Sequence, residues 1–221
     1  MTTEVQTRPA PRWRRRKDAR PSEILAAAME MFGDRGFGAT RLDDVARKAG
    51  CTKGTVFLYY KNKAELFQAA VRESVLPLVL ENERLVETNP GDARDVLEKL
   101  LRQRWDHVAR NRFAAIVKLM LAETHIYPEL ARFCHDEIIE RNQALLRRVL
   151  QRGVDRGELR PMNVAHVARF VVAPLLFAVV WRHALDHAIE SQFSMEEFFE
   201  TSLRVMLQGL SIDPVPAMSG T

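Results

Sequence analysis

The chain has 221 residues, 47% of them hydrophobic, which is enough for one large or two small domains with an apolar core and no need of cross-links. Its two cysteines, Cys51 and Cys134, exclude a disulfide framework and suit a reducing compartment. The net charge of +4 is unevenly spread: residues 1–72 hold 15 Lys/Arg and 8 Asp/Glu (+7), and residues 73–221 hold 18 and 21 (−3), so the surface for a polyanion belongs to the N-terminal third.

Residues 1–20 are basic, contain Pro9 and Pro11, and lack apolar periodicity. They read as a disordered arm, with Arg14, Arg15 and Arg16 available to a phosphate backbone or a minor groove. Pro21 opens a first helix whose buried face is Ile24, Ala28 and Phe32, with Leu25 beside them, and which ends at Gly33 and Gly36. Thr40 followed by Asp43 has the spacing of a capping box, so a second helix is predicted up to Gly50. Thr52 caps a third, residues 53–60. Only Ala49, Gly50 and Cys51 separate the two, which fits a helix-turn-helix. Phe37, Leu42, Val45, Val56 and either Leu58 or Tyr60 are the expected small core, with Cys51 packed in the turn. Lys53, Gly54, Thr55 and Phe57 are positioned to meet base edges, Gly54 by permitting close backbone approach and Phe57 through a thymine methyl. Thr40, Thr52, Tyr59 and Lys63 are the expected phosphate contacts, the two threonines because helix N-termini favour anions. For Phe57 and Tyr59 the competing reading is packing in the core.

The run GCTKGTVFLYYKNKAEL, with Thr40 ahead of it and Ile24-Leu25-x-Ala27-Ala28-x-x-x-Phe32-x-x-x-Gly36 before that, closely resembles the N-terminal domain of TetR-family transcriptional regulators. The resemblance covers about residues 20–68. It implies an all-α dimer with an N-terminal three-helix helix-turn-helix domain, followed by a C-terminal helical domain for ligand binding and dimerisation. Members usually carry Tyr where this chain has Phe57, and often Pro where it has Lys61. Domain bounds follow as 1–20 for the arm, 21–66 for DNA binding, 67–212 for ligand binding and dimerisation, and 213–221 for a flexible tail.

Asn62, with Glu65 three residues on, caps a fourth helix, which Pro77 should kink or end. Beyond residue 92 every segment has helical periodicity. Leu97, Leu101, Trp105 and Val108 mark a fifth helix, and Phe113, Val117 and Met120 a sixth. A long seventh helix from Pro128 carries the stripe Leu130, Cys134, Ile138, Asn142, Leu145 and Val149, and ends at residues 153–157. Asn142 is expected at the solvent edge of that stripe. Asn163 caps the eighth helix, whose run VVAPLLFAVVW is apolar on all sides and so must be covered by its own subunit and by a partner. Ser194 and Glu197 form a capping box for the ninth. In TetR-like proteins the last two long helices build the dimer interface.

The longest apolar run, residues 170–181, has 12 residues, contains Pro174 and lies between Arg169 and Arg182, whereas a membrane span needs about 20. The expectation is a cytoplasmic protein with no membrane partner. No nucleophile elbow, phosphate-cradling loop or zinc-protease motif is present, so no enzymatic activity is expected. His183 and His187 share a helical face, but they lie near a charged helix end and are not expected to bind metal. No cofactor is expected. The resemblance puts an effector pocket among the middle helices, with Trp105, Phe113, Met120, Phe133, Phe177 and Trp181 as candidate lining. Such a lining suits an apolar or aromatic effector. The resulting expectation is a homodimeric regulator on a palindromic, double-stranded DNA operator, most simply a repressor released by a small molecule. A constitutive DNA binder with no effector is the alternative.

Overall fold

Helical spacing in the sequence becomes helix through most of the described residues. The structure, a computed structural model, describes residues 12–109, 117, 119, 120, 123, 125–184 and 194–212; for residues 12–19, 109, 183 and 184 it describes the backbone alone. The described elements are α1 (Arg12–Ala39), α2 (Leu42–Lys48), α3 (Lys53–Tyr59), α4 (Lys63–Thr88), α5 (Ala93–Ala109), α6 (Pro128–Cys134), a π turn (His135–Ile139), α7 (Glu140–Asp155), α8 (Val164–Phe170), α9 (Ala173–Ala184) and α10 (Met195–Leu210). Among the described residues there is no strand, only an isolated bridge between Leu159 and Ser211. Two compact units divide at Glu73/Ser74, inside α4.

In the first unit, α1 starts at Arg12, nine residues ahead of the start expected at Pro21. The arm is therefore helical over its second half, because Arg, Lys and Ala are good helix formers and Pro21 forfeits only one backbone hydrogen bond. Arg20, at the end of that stretch, donates from Nη1 to the carbonyls of Ala49 and Gly50, both at 3.3 Å, and so serves the C-terminus of α2. Gly36 leaves the helical region at φ 82°, ψ 166°, a conformation that essentially only glycine adopts. The reversal folds Phe37 back under Phe32, with ring centroids 5.6 Å apart, and Phe67 of α4 meets both rings edge-on at 5.4 and 5.7 Å. This aromatic triad, with Ile24, Ala28, Val45, Val56 and Leu66, forms the first core. Tyr60 belongs to that core and Leu58 does not.

Thr40 is not the cap of α2. It is 1% exposed, and its hydroxyl lies 2.7 Å from the Gly36 carbonyl and 3.1 Å from that of Met31, while Arg41 occupies the N-cap position without a side-chain bond. The reversal at Gly36 brings those carbonyls over the threonine, and a buried hydroxyl must take the acceptors it meets. At the other end of α2, Gly50 sits at φ 63°. Its N–H bonds the Arg47 carbonyl (3.2 Å) and that of Cys51 bonds Ala46 (2.9 Å), the paired closure of a Schellman turn. Asn62 caps α4 through the Glu65 N–H at 2.8 Å, and Glu65 reaches back to the Lys61 N–H at 2.9 Å. α4 runs on through Pro77 to Thr88, so the proline is no terminus. Lacking an N–H, it leaves the carbonyl of Glu73, the last residue of the first unit, without its helical donor.

In the second unit, α5 packs against α7, α9 and α10, and α7 against α8. Leu97, Leu100, Leu101, Leu146, Val149, Leu150 and Leu203 are fully buried between them. Asn163 and Ser194 cap α8 and α10 as expected, accepting from the N–H groups of His166 (3.1 Å) and Glu197 (3.2 Å). The long seventh helix of the sequence is interrupted by the π turn, whose extra residue rotates everything after it. Gln143 is consequently buried beside Leu145 and Leu146. Asn142 is half-buried rather than at a solvent edge, with its amide tied to the Ile138 carbonyl and to Arg104. Gly153 does not end this helix, which continues to Asp155: a Cβ at 153 would lie 2.6 Å from Leu159 Cδ1, so the position is one of close packing.

Candidate nucleic-acid interface

The third helix is built to stand out from the first unit. Thr52 caps it, accepting from the Thr55 N–H at 3.2 Å, and its hydroxyl lies 2.9 Å from that of Thr55. Val56, fully buried, and Tyr60, just past the helix end, hold it down. Everything between faces outward: Lys53 and Gly54 are exposed, Thr55 is half-buried, and Phe57, Leu58 and Tyr59 are 45%, 82% and 36% exposed. Three consecutive exposed apolar residues are unusual on a soluble surface and mark an interaction site. A Cβ at Gly54 would meet only Thr52 Oγ1, at 3.8 Å, so nothing inside the protein demands the glycine. Glycine is a poor helix former, and no packing among the described residues requires it at 54.

The cations around α3 fall into two groups. Lys53 pairs with Asp43 at 3.0 Å, Arg47 with Asp44 at 2.9 Å, and Lys48 with Glu30. These are exposed ion pairs of small net worth that polyanion binding can displace. Arg41, before α2, and Lys61, after α3, are exposed and have no carboxylate partner among the described residues. Lys63, one of the expected phosphate contacts, is engaged within the protein. Its Nζ donates to the carbonyls of Phe37 (2.7 Å), Gly38 (3.0 Å) and Thr40 (3.1 Å) and sits 4.5 Å over the Phe37 ring, pinning the reversal at Gly36 to the start of α4. Lys63→Ala is accordingly expected to destabilise the first unit by about 1.5–3 kcal/mol, the usual worth of hydrogen bonds to a charged group. A urea midpoint unchanged from wild type would rule that out. Burial pushes the Cys51 thiol up from its ordinary pKa, which fits a packing cysteine better than a reactive one.

Of the other expected site residues, Arg14, Arg15 and Arg16 lie in α1, but their side chains are outside the described residues. Phe113 and His187 are also outside them, as is the side chain of His183. The remaining pocket candidates are not gathered around one cavity by the contacts described. Trp105 is spent in the core, stacked on Phe199 at 4.5 Å and donating from Nε1 to Glu196 at 2.8 Å. Phe177 is 41% exposed and touches Trp181 and Phe198. Phe133 is buried in α6 and Met120 half-buried. A cleft of about 330 Å³ between α5 and α10 is lined by Arg94, Arg102, Glu200 and Arg204 and by none of the candidates. Sequence reasoning missed Leu58 and Arg41, and an exposed leucine between two aromatics on a short helix was the available signal for the first.

Comparison with known proteins agrees with this geometry. A family described as "Bacterial regulatory proteins, tetR family" matches residues 24–70, and one described as "Tetracyclin repressor-like, C-terminal domain" matches residues 88–191. An uncharacterized HTH-type transcriptional regulator of Mycobacterium bovis is 29% identical over 63% of this chain, and the match spans 65% of that relative's length. The HTH-type transcriptional repressor KstR2 of Mycolicibacterium smegmatis is 27% identical over 87% of this chain and 91% of its own. Among solved structures, the transcriptional regulator FadR from Bacillus subtilis, in complex with stearoyl-CoA, superposes with a TM-score of 0.71 at 19% identity, covering 86% of this chain and 98% of that one.

Proposed function

The chain belongs to the TetR family of bacterial regulatory proteins, and we propose that it is a DNA-binding transcriptional regulator that recognises a palindromic operator as a homodimer and is released by a small molecule. The observation that carries the reading is α3: a capped helix, held down by Val56 and Tyr60, with a glycine the protein itself does not need and an exposed Phe57-Leu58-Tyr59 surface. Such a helix fits a major groove, where Lys53 and Thr55 supply donors to base edges and the three large side chains reach thymine methyls and sugars. Arg41 and Lys61 take the phosphate role first assigned to Lys63, since their charges are not engaged elsewhere. Lys61→Ala should then weaken binding to all sequences alike and lower the slope of log affinity against log salt by about one unit. An unchanged slope would remove Lys61 from the interface.

Dimerisation is supported by an unusual amount of exposed apolar helix at the C-terminal end. On α9, Ala173, Leu176, Phe177 and Val180 recur at helical spacing, and all are exposed. α10 adds Val205 (61% exposed) and Gly209, where a Cβ would meet nothing within 4 Å. By length and composition alone the stretch Val164–Arg182 is apolar enough to cross a membrane, but it carries Arg169 and is broken into two helices by a turn at 171–172. A partner subunit is the cover that suits it.

The effector is supported by the match to a repressor-like C-terminal domain and by FadR, solved in complex with stearoyl-CoA, a molecule with a long apolar chain. A ligand that prefers the DNA-incompetent state must weaken DNA binding by the same coupling free energy by which DNA weakens its own binding. The test is binding of the purified chain to DNA flanking its coding region, at fixed salt, with and without apolar and aromatic small molecules. Specific binding that a compound abolishes supports the proposal. Specific binding that no compound alters would leave a constitutive DNA binder.

A further inference from the structure

The second unit buries polar side chains for which the fold supplies too few partners. Arg104 of α5 is 8% exposed, and its guanidinium makes one hydrogen bond, from Nη2 to Asn142 Oδ1 at 2.8 Å, while Nε has no acceptor. Among the described residues no carboxylate pairs with it, and burial alone lowers its pKa to about 10. A buried cation without a counter-charge is among the costliest arrangements a fold can hold, so its retention needs a reason. Asn82 on α4 and Gln143 on α7 are 3% and 7% exposed, each with a side-chain oxygen that meets no hydrogen-bond partner among the described residues.

Two charged side chains from other helices reach one turn of α7. Arg104 reaches Asn142 there. Glu83, next to Asn82 on α4, holds Arg141 in a two-pronged pair at 2.9 and 3.0 Å, and Gln143 follows. The turn comes directly after the π turn, and Asn142 is fixed by donating to Ile138, inside it, at 2.8 Å. π turns are rare, and many of them sit at functional sites. The neighbours of this polar group along α5 and α7, Leu100, Leu101, Leu145 and Leu146, are apolar and buried.

We propose that Arg104, positioned by Asn142, binds the acidic end of the effector, an apolar molecule carrying one carboxylate or phosphate-type group. This rests on the reading of the second unit as effector-binding. An oxyanion laid against the Nε edge takes the donor that now lacks an acceptor and supplies the missing charge. The effector class thus changes from a molecule with few charges to an organic acid.

The test uses the full chain and three probes sharing one alkyl chain: decanoate, decyl phosphate and decan-1-ol. At least one of the two anions is expected to raise the melting temperature of the wild type, and the alcohol is not. Which anion acts distinguishes a carboxylate from a phosphate effector. Arg104→Met, which removes the uncompensated charge and keeps the volume, should melt no lower than wild type without a probe, and its affinity for the active anion should fall roughly 10- to 100-fold. A variant that melts several degrees lower, an anion effect that survives it, equal action by the alcohol, or no shift from either anion would each overturn the proposal. The same probes added to the operator complex separate the two readings. Release by decan-1-ol as readily as by the anions keeps the effector-responsive regulator and removes the role of Arg104. Anion binding through Arg104 without release keeps the site and removes the regulation.

Discussion

Gly54→Leu is expected to leave the chain folded and to abolish specific DNA binding. The position is exposed, and a Cβ there meets only one atom, at an ordinary contact distance of 3.8 Å, so the free protein has room for a side chain. Gly54 is the second residue of α3, so Gly54→Ala should leave stability unchanged or slightly raised. The loss arises only in the complex. A leucine on the groove-facing side holds the α3 backbone away from the base edges and pulls Lys53 and Thr55 out of reach. Good base contacts are worth about 1–3 kcal/mol each, so losing two costs on the order of 100-fold or more in specific affinity. Non-specific, salt-dependent binding is carried by the cations and should persist. The measurement pairs a urea titration with fluorescence anisotropy on operator and scrambled DNA at one salt concentration. Wild-type operator affinity in the leucine variant would mean that α3 does not enter a groove; lowered stability would mean that Gly54 has an internal reason the structure does not contain.

What the sequence revealed and what it hid follow from the range of the interactions involved. The caps at Thr52, Asn62, Asn163 and Ser194 were legible because each is a bond between residues three apart, complete within its own motif. Thr40 carries the same motif and does something else. Its hydroxyl is captured by carbonyls that the Gly36 reversal brings over it, a non-local event that a spacing rule cannot contain. The internal bonds of Lys63 were hidden for the same reason, since nothing in the spacing shows that the carbonyls of residues 37, 38 and 40 arrive beneath it. The π turn has no propensity signature, yet by adding one residue it buries Gln143 and turns Asn142 toward Arg104. Arg104 stands on the apolar stripe of its helix by spacing, seven residues after Leu97 and three after Leu101, a signal the reading of that stripe passed over. Its burial shows it as a cation with no carboxylate partner among the described residues.

Leu176→Glu is expected to turn a dimer into a monomer and, with it, to weaken operator binding steeply although it lies far along the chain from the DNA-binding unit. Leu176 is 50% exposed and lies on the stripe with Ala173, Phe177 and Val180, so the isolated subunit tolerates a charge there within about 0.5 kcal/mol. In a two-fold interface each substitution counts twice, because the same stripe faces its own copy and two carboxylates are forced together in a desolvated seam. Val205→Glu on α10 should act in the same way. The consequence for DNA is multiplicative. A dimer reads two half-sites in one event, whereas a monomer has about half the binding free energy, so an operator affinity near 10⁻⁹ M falls by on the order of 10⁴. Light scattering coupled to gel filtration reads the mass directly: twice 25.3 kDa for the wild type and 25.3 kDa for the variant. A variant that stays dimeric moves the interface elsewhere, and a monomeric variant that keeps wild-type operator affinity removes the need for two-fold recognition. The expected result ties both ends of the chain to one event, in which the apolar stripe exposed on α9 is what allows two short α3 helices, each too weak alone, to bind one operator together.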